Sequence, residues 1–124
     1  MKLLGRCLTE NFQILEEYST ALFFLKKEDL KDCNFIKGDT EGFVNIPLSL
    51  KGIIFSAFFI EHDDGIKISF RSKGDFDVNK FSKNHFNGGG HRNASGGKAL
   101  NMSIENTINH FIELLNEYKN ELTG

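Results

Sequence analysis

Apolar positions recur along this chain with two different periods. Residues 53–60 form a continuous apolar run that holds Phe55, Phe58 and Phe59. Its length and its flanking turn residues predict a buried central strand rather than a helix. Ile66, Ile68 and Phe70 then alternate with Lys67, Ser69 and Arg71. A period of two predicts a strand with one buried face. Near the C-terminus, Ile104, Ile108, Phe111, Ile112, Leu115 and Tyr118 fall at helical spacing, a stripe that reads as core packing. Ser103 is a good N-cap for this helix, and Glu105 suits the positive end of its dipole.

Shorter signals fill in the rest. Residues 12–15 and 21–25 read as short strands joined by 16–20, and the charged segment 26–32 reads as a short surface helix with a solvated face. Leu3, Leu4, Cys7 and Leu8 make one apolar stripe of a helix over 1–11, weakened by Gly5. Thr40 is placed to cap a helix through Phe43, Val44 and Ile46, although Pro47 argues against a long one. Residues 78–86 predict a short helix, with Val78, Phe81 and His85 or Phe86 on one side, and 94–100 predict a returning strand. The sum is one α/β domain over 1–124, a mixed sheet of four or five strands packed with helices, whose strand order the pattern leaves open.

Composition narrows the picture. A chain of 124 residues that is 40% hydrophobic, with thirteen phenylalanines, can bury a real core in a single domain. The net charge of -2 provides no global basic field for long nucleic acid. Nucleotide binding would have to come from a local cluster, which suits a short ligand with few phosphates. Cys7 and Cys33 are too far apart for a CxxC site and too few for a disulfide framework, so they are expected to be reduced core thiols of a cytoplasmic protein. No run approaches the ~20 apolar residues of a membrane span, and the N-terminus lacks a secretion pattern.

The candidate chemistry lies in Gly88-Gly89-Gly90-His91-Arg92-Asn93-Ala94-Ser95-Gly96-Gly97. Glycine allows positive φ and close approach of backbone to a ligand, and successive N–H groups in such a turn form a concave anion site. His91 and Arg92 put donors beside it, and Ser95 adds a hydroxyl. The run lacks the lysine-serine/threonine ending of a P-loop and the GxGxxG spacing of a dinucleotide fold. A plain helix-to-strand turn needs one or two glycines rather than five in ten residues. Arg71 offers a planar fork to phosphate oxygens near the end of its strand, and Ser72 beside it either caps a phosphate or begins the turn. His62-Asp63-Asp64 looks like a metal trio, but the following Gly65 between two apolar runs makes it a hairpin turn.

The ten-residue run resembles the GGGH-x-x-A-[AS]-G signature of the DHHA1 domain, the C-terminal half of DHH-family phosphoesterases. Gly38-Asp39-Thr40-Glu41-Gly42-Phe43-Val44-Asn45, Phe70-Arg71-Ser72-Lys73-Gly74-Asp75-Phe76-Asp77-Val78-Asn79 and the final helix extend the resemblance over nearly the whole chain. They are similar to the branch with oligoribonucleases, nucleotide phosphatases and exopolyphosphatase-related proteins.

The resemblance implies a DHHA1 fold and a substrate-contacting role for His91. It implies that Arg71, Ser72, Gly88, Gly89, Gly90, His91, Ser95 and Gly96 bind substrate, with no catalytic residue and no metal ligand in this chain. The family's divalent metals, usually manganese, sit in an N-terminal domain with an Asp-His-His motif. None of His62, His85, His91 and His110 lies in such a run. The chain is therefore expected to be the substrate-binding half of a two-domain enzyme, an excised or truncated piece that is inactive by itself, with 1–11 following the interdomain linker. The expected partners are short RNA or nucleotide phosphates and the catalytic domain of the same polypeptide. The whole enzyme would hydrolyse short oligoribonucleotides or nucleotide 3′-phosphates. The alternatives are a non-enzymatic nucleic-acid-binding module and a dimerisation unit that forms a homodimer.

Overall fold

The continuous apolar run becomes the third strand of a six-stranded mixed sheet. A computed structural model describes residues 10–32 and 43–123. The strands are β1 (Phe12–Leu15), β2 (Thr20–Leu25), β3 (Phe55–His62), β4 (Gly65–Ser72), β5 (Gly89–His91) and β6 (Ala94–Ala99). They lie in the order β1-β2-β3-β4-β6-β5. β2 and β3 run parallel, and every other pair is antiparallel. The helices are α1 (Lys27–Asp32), α2 (Val78–His85), α3 (Ile104–Leu115) and α4 (Lys119–Thr123).

Helices α2 and α3 cover one face of the sheet. Phe55, Phe59, Ile68 and Phe70 project from the strands to meet Phe81, Phe86, Phe111 and Leu115, all essentially buried. Phe111 sits among Phe55, Phe59 and Phe81 at ring-centroid distances of 5.6, 5.3 and 5.8 Å. Tilted and edge-to-face pairs of this kind each add about 0.5–1.5 kcal/mol beyond the area they bury.

The other face is covered unevenly. Phe43 and Val44, in a 3-10 segment over Phe43–Ser49, pack with Phe23, Phe58 and Ile60. That small cluster sits on β2 and β3. On β4 and β6 the same face carries Lys67, Ser69, Arg71, Ala94, Gly96 and Lys98, none of which joins either core cluster.

Several expected boundaries move. The sheet has six strands rather than four or five, because part of the glycine run forms β5. The strand expected at 53–60 runs two residues later, and its partner is joined through the turn at Asp63 and Asp64, opposite which His62 pairs with Gly65. Pro47 leaves a 3-10 segment where a helix was expected, since proline removes a backbone donor. The C-terminal stripe holds α3 to Leu115 and then breaks into a 3-10 turn over Asn116–Tyr118 before α4. Ser103 caps α3 as expected, accepting from the Asn106 N–H at 3.0 Å. Residues 1–9, Cys7, Cys33 and Thr40 lie outside the described residues, as do the helix expected at 1–11 over nearly all its length and most of the 38–45 segment. No helix among the described residues is long and apolar enough to cross a membrane.

Candidate functional site

The glycine run folds as a fastened hairpin rather than an open loop. Asp77 caps α2 through the Lys80 N–H, fixing where the helix starts. The helix ends at Phe86, and Asn87 takes a left-handed φ of 52° before Gly88. Hydrogen bonds then lash the hairpin to α2. The Gly90 N–H donates to Asn79 Oδ1 at 2.9 Å, and the Val78 N–H donates to the Arg92 carbonyl at 2.8 Å. The Lys98 N–H donates to the Phe86 carbonyl at 2.8 Å, and the Ser82 hydroxyl donates to the Gly96 carbonyl.

The glycines divide by what an added Cβ would meet. At Gly88 it would lie 1.8 Å from the Gly96 carbonyl oxygen, and at Gly97 it would lie 2.7 Å from Phe86 Cβ. At Gly90 it would lie 2.6 Å from the Ala94 carbonyl oxygen. These three glycines let the helix end and the hairpin close on β6. Gly96 differs. Its Cβ would meet only the Ile68 carbonyl oxygen at 3.4 Å, an ordinary contact. Gly89 is intermediate, with the flexible end of Lys83 nearest at 3.3 Å. Internal packing therefore explains Gly88, Gly90 and Gly97 and leaves Gly96 unexplained.

Register places the candidate side chains. Arg71 stands opposite Ala94, and Ala94 opposite His91. Residues directly opposite share a face, so Arg71 and His91 lie at the two ends of one row, two strands or about 10 Å apart. The next row is Ser69, Gly96 and Gly89. A hollow of about 290 Å³ opens beside this second row, lined by Lys67, Ser69, Gly88, Gly89, Gly96 and Lys98. Arg71 Nη1 donates to the Phe70 carbonyl at 2.8 Å and the Ser95 carbonyl at 3.3 Å. Those bonds hold the guanidinium in place and leave its Nε and Nη2 hydrogens without a partner among the described residues. The His91 side chain is exposed and makes no hydrogen bond to another described residue.

Other candidate residues serve the fold. Ser72 is buried; its hydroxyl donates to the Phe76 carbonyl at 2.7 Å and accepts from Asn93 Nδ2 at 2.9 Å. Ser95 is buried too, and its hydroxyl donates to the Val78 carbonyl at 2.8 Å. Both hydroxyls point into structure, so of the substrate-binding side chains expected from the sequence only Arg71 and His91 face the open surface, around bare glycine backbone. Arg92 is held by Asp75. Phe86 is in the core. His85 does not flank the hairpin's open face; its Nε2 lies 2.6 Å from the Tyr118 hydroxyl. Burial pushes the Tyr118 phenol above its ordinary range. His62-Asp63-Asp64 is a hairpin turn, with Asp63 paired to Lys27 at 3.0 Å. Among the described residues no three His, Cys, Asp or Glu side chains come together as a metal group.

Sequence reasoning missed Lys67, Ser69 and Ser56. The polar positions of β4 alternate as Lys67, Ser69 and Arg71, a signal that pointed to the whole face rather than to Arg71 alone. Ser56 stands opposite Arg71, is fully buried, and its Oγ has no hydrogen-bond partner among the described residues.

The model of the DHHA1 domain matches residues 20–121. A bifunctional oligoribonuclease and PAP phosphatase, NrnA, of Bacillus subtilis is 37% identical over 82 residues, covering 66% of this chain and 26% of the relative. A 3′,5′-cyclic-nucleotide phosphodiesterase of Helicobacter pylori is 35% identical over 88 residues, covering 64% of this chain and 24% of the relative. This chain thus spans about a quarter of the length of the curated relatives it matches. The crystal structure of an exopolyphosphatase-related protein from Bacteroides fragilis superposes with a TM-score of 0.93 at 43% identity, over 98% of this chain and 35% of that one.

Proposed function

Because the chain belongs to the DHHA1 domain family, we propose that it is the substrate-binding domain of a metal-dependent DHH-family phosphoesterase, and that it holds a short RNA or a phosphorylated nucleotide by its phosphates. Arg71 and the His91 imidazole grip phosphate oxygens from the two ends of one row. The bare backbone at Gly96 lets the ligand lie against the sheet between them. The full enzyme would hydrolyse short oligoribonucleotides or nucleotide phosphates in a cleft completed by its catalytic domain, which carries the metals, and closure of the two domains would exclude water from the substrate.

The observation that carries this reading is Gly96. A glycine inside a strand weakens it and often marks a close approach of ligand or backbone. Here no protein backbone is close enough to require it, and the position lies on the face that carries Arg71. The names of the relatives, an oligoribonuclease and a phosphodiesterase, supply the ligand class.

Calorimetric titration of a 5′-phosphorylated dinucleotide tests the reading. His91→Ala and Arg71→Ala are each expected to weaken binding by about 1–3 kcal/mol, the loss of a charge-assisted hydrogen bond. His91→Ala should melt like the parent, because its side chain is exposed. Unchanged affinity in both variants would place the ligand elsewhere.

A further inference from the structure

Lys67 and Lys98 face each other across β4 and β6, directly paired in register. Like charges directly opposite in a sheet destabilise it. Both side chains are exposed, and neither forms an ion pair with a described residue, although other lysines in the chain do, such as Lys26 with Glu105. The pair lies on the same strand face as Arg71, because Lys67, Ser69 and Arg71 alternate along β4. It also flanks both the hollow beside Gly96 and a second hollow of about 300 Å³ that continues past it toward His62 and Leu100. Lys67 lies four positions before Arg71 along the strand, about 13 Å of backbone rise. At that backbone spacing the two ends of the strip have room for separate phosphates.

We propose that the Lys67–Lys98 pair is a second phosphate subsite, and that the strip from Arg71 and His91 past Gly96 to the lysines binds the backbone of a short single strand through at least two of its phosphates. The ligand is then an oligonucleotide rather than a mononucleotide. Its backbone runs along β4 and β6, and a phosphate between the two lysines offsets the repulsion that the free sheet carries. This rests on the reading of Arg71 and His91 as a phosphate-binding end.

The test is a length series. Oligoadenylates of one to five nucleotides with a 5′-phosphate are titrated into the parent chain, Lys67→Gln/Lys98→Gln, His91→Ala and Arg71→Ala at several salt concentrations. The parent should bind the trinucleotide roughly tenfold or more tightly than the mononucleotide, the scale of an added charged contact. The lysine double variant should lose that gain while keeping the mononucleotide affinity, which reads the Arg71–His91 end alone. Its salt dependence for the trinucleotide should become shallower by about 0.7 in log–log slope, the share of one single-strand phosphate. Its melting temperature should hold or rise as the repulsion is relieved.

Equal weakening of mononucleotide and trinucleotide would overturn the separate subsite, leaving only a general field. An unchanged length series in the double variant, with His91→Ala and Arg71→Ala still impaired, would overturn it and leave the first reading standing. Indifference of all lengths to His91 and Arg71, or no binding at any length, would overturn both.

Discussion

Two glycines eight residues apart should respond in opposite ways to the same added methyl group. At Gly88 an alanine Cβ would sit 1.8 Å from the Gly96 carbonyl oxygen and 2.4 Å from Ser82 Oγ. The first of these is backbone held in the sheet, so the helix end or the hairpin must shift. Overpacking of this kind costs about 1–3 kcal/mol or more. At Gly96 the nearest atom would be 3.4 Å away and φ lies outside the left-handed range. There alanine restricts the unfolded chain and adds strand propensity, for a gain of about 0.4–1 kcal/mol. At roughly 3–6 °C per kcal/mol for a domain of this size, Gly88→Ala should melt about 5–15 °C lower, and Gly96→Ala level or a few degrees higher. The ligand reads the reverse order of interest. Gly96→Ala should weaken dinucleotide binding by about tenfold or more, since a Cβ would stand where the backbone of the ligand must lie. Thermal melting and calorimetric titration of the two variants suffice. A destabilised Gly96→Ala would show that packing explains this glycine after all. A stable Gly96→Ala with parental affinity would show that the open face is not where ligand binds.

Ser95→Ala should cost about 1–3 kcal/mol in chemical denaturation, because the buried Val78 carbonyl loses its 2.8 Å partner; a change within 0.3 kcal/mol or so would mean that water replaces the hydroxyl. Tyr118 titrates above its unfolded value because burial disfavours the phenolate. Its contribution to stability is therefore complete below the unfolded pKa of about 10 and is lost as pH rises from there through the folded value. Tyr118→Phe should flatten that alkaline loss, measured by denaturation at several pH values, and an equally steep loss in the variant would assign it to other groups.

Much of the fold is legible in the apolar pattern. The continuous run of β3, the alternation of β4 and the stripe of α3 each come from a period that packing enforces along the whole element. The hairpin was harder to read. β5 is Gly89, Gly90 and His91, and nothing in those residues signals a strand. It forms because Asn79 on the neighbouring helix accepts from the Gly90 N–H and because it pairs with β6, which Ser82 and Phe86 hold in turn, and such long-range ties carry no local period. The same ties explain why the glycine cluster overstates its chemistry. Three of its glycines serve close packing, and Ser72 and Ser95 face inward because strand alternation, rather than proximity to the motif, decides which way a side chain points. The alternation of β4 did contain the open face, with Lys67 and Ser69 sharing the side of Arg71.

The central claim is that the face of β4, β6 and β5 holds the ligand. Amide chemical-shift mapping measures this most directly, with isotope-labelled protein titrated by a 5′-phosphorylated dinucleotide. Shifts should concentrate at Ser69, Arg71, Gly89, His91 and Ala94 to Lys98, leaving the outer surfaces of α3 and α4 unmoved. A shift pattern centred on the His62–Gly65 turn or on the helical layer, with the Gly96 amide silent, would contradict it.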